Sequence, residues 1–216
     1  MQAFIQHCGI AAPMLRPNID TDAIIPSREM KLVSKKGLGE GLFASWRYTL
    51  PGGREPNASF LLNQATYQGC TILLAGSNFG CGSSREHAVW ALAEYGIRAI
   101  IAPSFGSIFF NNCIANGLLP IVLAEQTISA IAEWVEQDPQ ANQINIKLSD
   151  NSLIWADQRL EFSLNSDARA MLLGGLDRID ITLTRTAAIE EFETSDRALR
   201  PWAYLAPRQQ LLTEKA

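Results

Sequence analysis

The chain has 216 residues, 47% of them hydrophobic and 19% charged, with a formal net charge of −4. That is globular composition for one domain, or one with a small appendage, long enough to bury a core without covalent staples. The acidic balance excludes the basic face that nucleic acid or an anionic membrane demands, and no stretch approaches the roughly 20 apolar residues that span a bilayer.

The opening "MQAFIQHCGIAAPM" has neither the basic start nor the long apolar run of a signal peptide, so a soluble, cytoplasmic protein is expected. Residues 31–68 are rich in Gly, Pro and polar residues and read as a long irregular connection, a kind that is often functional. "TILLA" (71–75), bounded by Gly69 and Gly76, reads as a buried strand. A helix is predicted from Ser84 to Tyr95, with Ala88, Leu92 and Tyr95 on one face and Gly96 as its C-terminal cap. "RAIIAP" (98–103) is a second strand, so strand, helix and strand form a parallel βαβ unit. A second helix is predicted over 104–115, closed by Gly117, then a strand at "LLPIVL" (118–123). Thr127 reads as the N-cap of a helix to Glu136, with Pro139 beyond its end.

Then the texture changes. "INIKL" (144–148), "SLIWA" (152–156) and "RLEFSL" (159–164) alternate apolar and polar, which predicts an antiparallel meander. A helix over 166–175 and a last one over roughly 186–196 complete the reading. The fold class is α/β, with a parallel βαβ centre and an antiparallel portion.

The four cysteines, Cys8, Cys70, Cys81 and Cys113, are scattered without a C-x-x-C pair. No zinc site, disulfide framework or iron–sulfur cluster is expected on this chain, and Cys70 and Cys113 read as small buried hydrophobes.

Chemistry concentrates in "GSNFGCGSSREHA" (76–88). A glycine-rich turn between a buried strand and a helix start is an anion site, because free N–H groups point outward and the dipole favours negative charge. Ser83 and Glu86 have capping-box spacing. The loop lacks the Gly-Lys-Ser/Thr of a P-loop, and Arg85 stands where a dinucleotide fingerprint needs its last glycine. In a first helical turn Arg85 opposes the dipole by a few tenths of a kcal/mol. A docked carboxylate, gripped by the guanidinium fork, would offset that cost. The alternative is that Ser83 only caps and Arg85 only pairs with a nearby Asp or Glu. Cys81 with His87 as a thiol pair is a weaker possibility, lacking an orienting third group.

Beyond single loops, "NFGCGSSREHAVWAL" (78–92) resembles the signature of 3-isopropylmalate dehydratase small subunits, which are similar to the swivelling C-terminal domain of aconitase. "NIDTDAIIP" (18–26) and "IIAPSFGSIFFNNCIANGLLPI" (100–121) match further blocks of that family, as do "FASWRY" (43–48), "YQG" (67–69) and "GLDRIDITL" (175–183). The likeness runs in order across the chain and thins after about Trp202, implying one swivel domain over 1–200 and a C-terminal tail over 201–216 that docks on a partner or on its own domain.

The resemblance implies half of a hydro-lyase of leucine biosynthesis, active only with a large subunit. That partner would carry a [4Fe–4S] cluster, none being bound here. The substrate would be a small hydroxy-dicarboxylate, 2-isopropylmalate, dehydrated and rehydrated to 3-isopropylmalate. The family's first motif serine, the base, falls on Ser83, and its carboxylate-gripping arginine on Arg85, with Ser84 beside them. Its Thr-Asp falls on Thr21 and Asp22, where Asp22 would tune Ser83 or orient an arginine; taken alone, residues 20–22 read as an Asx turn. A second substrate arginine finds no clear match in "REMKLVSKKG" (28–37), where Leu32 and Val33 are candidates to touch the isopropyl group. Two alternatives stand: a related dehydratase of citraconate/methylmalate or homoaconitate type, or a carboxylate-binding module without catalysis.

Overall fold

The computed structural model describes residues 1–30, 34–83 and 85–204. In chain order the elements of the larger unit, Met1–Asp177, are β1 (Gln6–Gly9), β2 (Ala11–Met14), α1 (Thr21–Ile24), α2 (Ala44–Arg47), β3 (Ile72–Ala75) and α3 (His87–Tyr95). There follow β4 (Ala99–Ala102), α4 (Ser107–Ala115), β5 (Leu119–Val122), α5 (Glu125–Gln137), β6 (Ile144–Lys147), β7 (Ser152–Trp155), β8 (Gln158–Glu161) and α6 (Ser166–Gly174).

β2, β3, β4 and β5 form a parallel sheet in that order, with Met14 opposite Ala75 and Leu74 opposite Ile101. β2 extends the expected three strands. Its sequence, "AAPM", carries no β-branched residue and a proline, so no strand signal stands out. Pro13 in β2 and Pro120 in β5 sit on the two edge strands, where a missing N–H donor is tolerated.

Side chains alternate across this sheet. Leu73, Ala75, Ile100 and Ala102 join one core with Ala88, Val89 and Leu92 of α3 and Phe109 and Cys113 of α4. Ile72, Leu74 and Ile101 are also fully buried, and α5 lies along β2, β3 and β4. α5 buries Ile128, Ile131, Ala132 and Val135, the i, i+3, i+4, i+7 stripe of an amphipathic helix. Each Ile or Val of that stripe contributes about 1.5–3 kcal/mol by leaving water.

The antiparallel sheet has the order β1-β6-β7-β8: the expected meander gains β1, whose His7 pairs with Ile146. Ile144 and Ile146 face inward while Asn145 and Lys147 are half-exposed, the period of two on which the expectation rested.

Helix starts differ from expectation in two places. α5 begins at Glu125 with Ala124 before it, so Thr127 lies inside the helix rather than capping it; Glu125 in the first turn complements the dipole. α3 begins at His87 rather than Ser84, and its N-cap residue Glu86 makes no side-chain capping bond. Glu86, the expected capping-box partner, instead accepts a hydrogen bond from Asn116 Nδ2 at 2.8 Å. Gly96 (φ 111°) closes α3 in the left-handed conformation, as predicted, and Gly175 (φ 62°) closes α6 in the same way.

The long connection is not a solvated loop. Leu38, Leu42, Phe43 and Leu62 from it are buried in the main core, and Phe43 stacks on Trp46 with centroids 5.7 Å apart.

A second unit begins at Arg178 and contains α7 (Arg178–Leu183) and α8 (Thr186–Leu199). The division falls at 177/178, earlier than the boundary expected after residue 200. Asp196 near the end of α8 accepts hydrogen bonds from Arg200 Nε (2.7 Å) and Tyr204 Oη (2.8 Å), which tie the following turn back onto the helix.

Candidate active site

The strands of the parallel sheet all end at the same edge, and the crevice beyond their carboxyl ends is where α/β sheets place ligands. Here the chain keeps pairing after each strand stops. Asp20 bridges Cys81 and Phe79 bridges Phe105, both in parallel sense. Gly80 N donates to Ile19 O at 2.7 Å, and Gly106 N to Phe79 O at 2.9 Å. Two glycines permit this closeness. A side chain on Gly80 would start 2.2 Å from the Phe109 ring, and one on Gly106 would start 2.6 Å from the Gly80 carbonyl. Gly80 also has φ 71°, which a branched carbon resists.

The Asp20-Thr21-Asp22 segment opens α1 rather than forming a free turn. The Asp20 carboxylate caps it, accepting from Ala23 N at 2.7 Å. This fixes the two residues that follow. Thr21, only 2% exposed, donates from Oγ1 to the backbone carbonyl of Ser83 (2.9 Å) and lies 3.2 Å from the Ser83 hydroxyl. A hydroxyl has one proton to give. With Thr21's proton on the carbonyl, Ser83 is the donor across the second contact.

Asp22 pairs with Arg85. Its Oδ1 accepts from Arg85 Nη1, which also reaches Ser27 Oγ at 3.1 Å, and Ser27 Oγ stands 3.4 Å from the same carboxylate oxygen. No bond joins Asp22 to Ser83 among the described residues. Arg85 stands just ahead of Glu86, the N-cap of α3, rather than in its first turn. All these bonds use Nη1. Nε and Nη2, the pair that grips a carboxylate with two parallel hydrogen bonds, have no partner among the described residues.

Thr21, Ser83, Arg85, Gly106, Ile108 and Asn112 line one cleft of about 180 Å³. Of the basic residues after the Thr-Asp segment, Arg28 donates to Ser45 Oγ at 3.1 Å and lies 3.4 Å from Glu29, while the Lys35 ammonium sits 4.7 Å over the Trp90 ring. Neither lines the cleft. Ser84, Lys31, Leu32 and Val33, and the tail beyond residue 204, lie outside the described residues.

The remaining candidates have plain surroundings. Burial pushes the Cys70 thiol up to about 12, against hydrogen bonds with the Ile72 and Ala12 backbone, and pushes Cys113 well up. His87 lies against Trp90, ring centroids 4.8 Å apart, and no contact joins it to Cys81 among the described residues. Among the described residues, no group of three or more His, Cys, Asp or Glu could hold a metal ion.

Sequence reasoning gave no role to Ser27, Ile108 or Asn112. The block over 100–121 contains two of them, but nothing in their types marks them, since an isoleucine and an asparagine on a helix have no fixed chemistry.

Residues 1–126 match the family model of the aconitase C-terminal domain, which sets the class of the fold. Over 205 residues the chain is 56% identical to the 3-isopropylmalate dehydratase small subunit of Cupriavidus necator, an alignment covering 94% of this chain and 99% of that relative. The crystal structure of 3-isopropylmalate dehydratase (leuD) from Methanocaldococcus jannaschii superimposes with a TM-score of 0.63 at 25% identity, covering 87% of this chain and 99% of that one. The chain belongs to the 3-isopropylmalate dehydratase small-subunit family.

Proposed function

We propose that this chain is the substrate-closing, proton-transferring half of a 3-isopropylmalate dehydratase, working with a large subunit on 2-isopropylmalate. The observation that carries the reading is the sharing of one cleft by the Ser83 hydroxyl and two open donors of Arg85. The 56% identical relative, named as a small subunit, supports the partner.

Arg85 grips one substrate carboxylate through Nε and Nη2, while Asp22 and Ser27 hold Nη1 and so fix the plane of the fork. Ser83 Oγ faces the carbon next to the one bearing the hydroxyl. It takes a proton from that carbon as hydroxide leaves, and returns a proton to the other carbon when water adds back. A serine is too weakly acidic to do this unaided. Ser83 therefore acts as its alkoxide, having released its own proton to solvent before the site closes; Thr21's hydroxyl then turns from the carbonyl toward the oxyanion 3.2 Å away, and Arg85 supplies nearby positive charge. When bound in the large subunit, the [4Fe–4S] cluster implied by the family supplies a Lewis acid for the substrate hydroxyl.

Co-expression with the large subunit, followed by an assay on 2-isopropylmalate, tests this. The complex turns over, the lone chain does not, and Ser83→Ala lowers kcat at least about 100-fold, as loss of a proton-transfer group does. Turnover by the lone chain, or a normal rate for Ser83→Ala in the complex, overturns the reading.

A further inference from the structure

Resting on the reading above, we infer that Asn112 is a further substrate-binding residue, its amide holding the carboxylate that Arg85 does not. Three observations lead there. Asn112, on α4, lines the cleft that Ser83 and Arg85 share. It is half-buried, yet neither its amide oxygen nor its nitrogen has a hydrogen-bond partner among the described residues. One helical turn further along, Asn116 is fully employed: it donates to Glu86 Oε1 (2.8 Å) and to the Asn112 carbonyl (2.9 Å), and accepts from Trp90 Nε1 (3.0 Å). The helix therefore satisfies its asparagine amide where the neighbourhood is protein, and leaves one open where the neighbourhood is the cleft.

The position is held rigidly. The Phe109 ring sits where a side chain on Gly80 would be, and the Gly106 backbone meets that of Gly80. The start of α4 is thereby locked against the loop carrying Ser83, which sets Asn112 at a fixed station along the wall.

Charge supplies the need. A dicarboxylate brings two negative groups, but Arg85 is the one cation among the described residues lining the cleft, and Asp22 already shares it. If this chain meets the second carboxylate, it does so with neutral donors. An amide nitrogen presents two N–H groups and carries no charge to be desolvated.

The test uses the complex with the large subunit, with steady-state kinetics on 2-isopropylmalate and inhibition by malate and by lactate, which lacks the second carboxylate. Asn112→Ala raises KM for 2-isopropylmalate about tenfold, the worth of one hydrogen bond to a charged group, with kcat within about threefold. It weakens malate inhibition by a like factor and leaves lactate inhibition unchanged. Asn112→Asp, of equal size, raises KM further by setting like charge against the substrate. Melting curves matching the unaltered chain accompany both. An unaltered KM, or equal loss for malate and lactate, overturns the assignment while an active complex and an inactive Ser83→Ala leave the wider reading standing. An inactive complex, or an active Ser83→Ala, sinks both.

Discussion

Thr21 gives its one proton to the backbone carbonyl of Ser83 and keeps its oxygen 3.2 Å from that residue's hydroxyl. It is buried by the first turn of α1, whose cap is Asp20. Thr21→Val keeps the shape and removes the proton, leaving a carbonyl without its donor, at a cost of about 1–3 kcal/mol. In the assembled enzyme kcat is expected to fall about 10- to 100-fold with little change in KM, while Thr21→Ser retains most of the rate. Steady-state kinetics on the three forms checks this; equal loss in Val and Ser would assign Thr21 to packing alone.

In the proposed mechanism, variants at Arg85 and Asp22 separate binding from chemistry. An ammonium cannot copy the guanidinium fork, so Arg85→Lys is expected to raise KM about tenfold or more. Asp22→Asn loosens the arginine without touching Ser83, so its effect falls on KM and leaves kcat within a few-fold. Their ion pair is partly exposed and worth only about 0–1 kcal/mol, so the melting temperature of Asp22→Asn should barely move.

Gly80→Ala places a methyl group against the Phe109 ring at a backbone angle that side chains avoid. Overpacking of that kind costs about 1–3 kcal/mol, and the left-handed conformation adds about 1–2 more. A fall of several degrees in melting temperature, or loss of soluble protein, is the expected outcome. An unchanged melting curve would mean that the two loops can part.

His7 gives the fold a pH dependence. Burial, and to a lesser extent the charge of Arg98, hold its imidazole below the ordinary value of 6.5 while it hydrogen-bonds Thr71 Oγ1 at 2.7 Å. As pH falls below 6.5 the unfolded chain takes up a proton that the folded chain refuses, so stability present above 6.5 is lost toward the folded pKa. Melting temperatures between pH 7.5 and 5.5 should drop less steeply in His7→Gln. Parallel slopes would clear His7.

Thiol titration under native conditions should count the exposed Cys8 and the half-exposed Cys81 and miss Cys70 and Cys113 until the chain is unfolded, because burial suppresses their thiolates.

The parallel centre was legible because "TILLA" and "RAIIAP" are apolar runs of strand length separated by a helical repeat. β1 and β2 were not, since "QHCG" and "AAPM" lack the branched and aromatic residues that mark strands; tertiary pairing, not propensity, makes them. Ser83 and Arg85 stood out through their motif. Their division of labour with Thr21 and Asp22 depends on distances between residues about sixty positions apart, which no local pattern encodes. The S-x-x-E spacing at 83–86 misled, because Asn116, thirty residues further on, claims Glu86.

The prolines at the two rims of the parallel sheet bear on assembly. Pro13 and Pro120 each strip one backbone donor from an outermost strand. A foreign strand annexing either flank would meet a gap in its hydrogen-bond ladder, so growth by strand addition is discouraged at both margins. Loops and helices are left as the natural places for another polypeptide to attach.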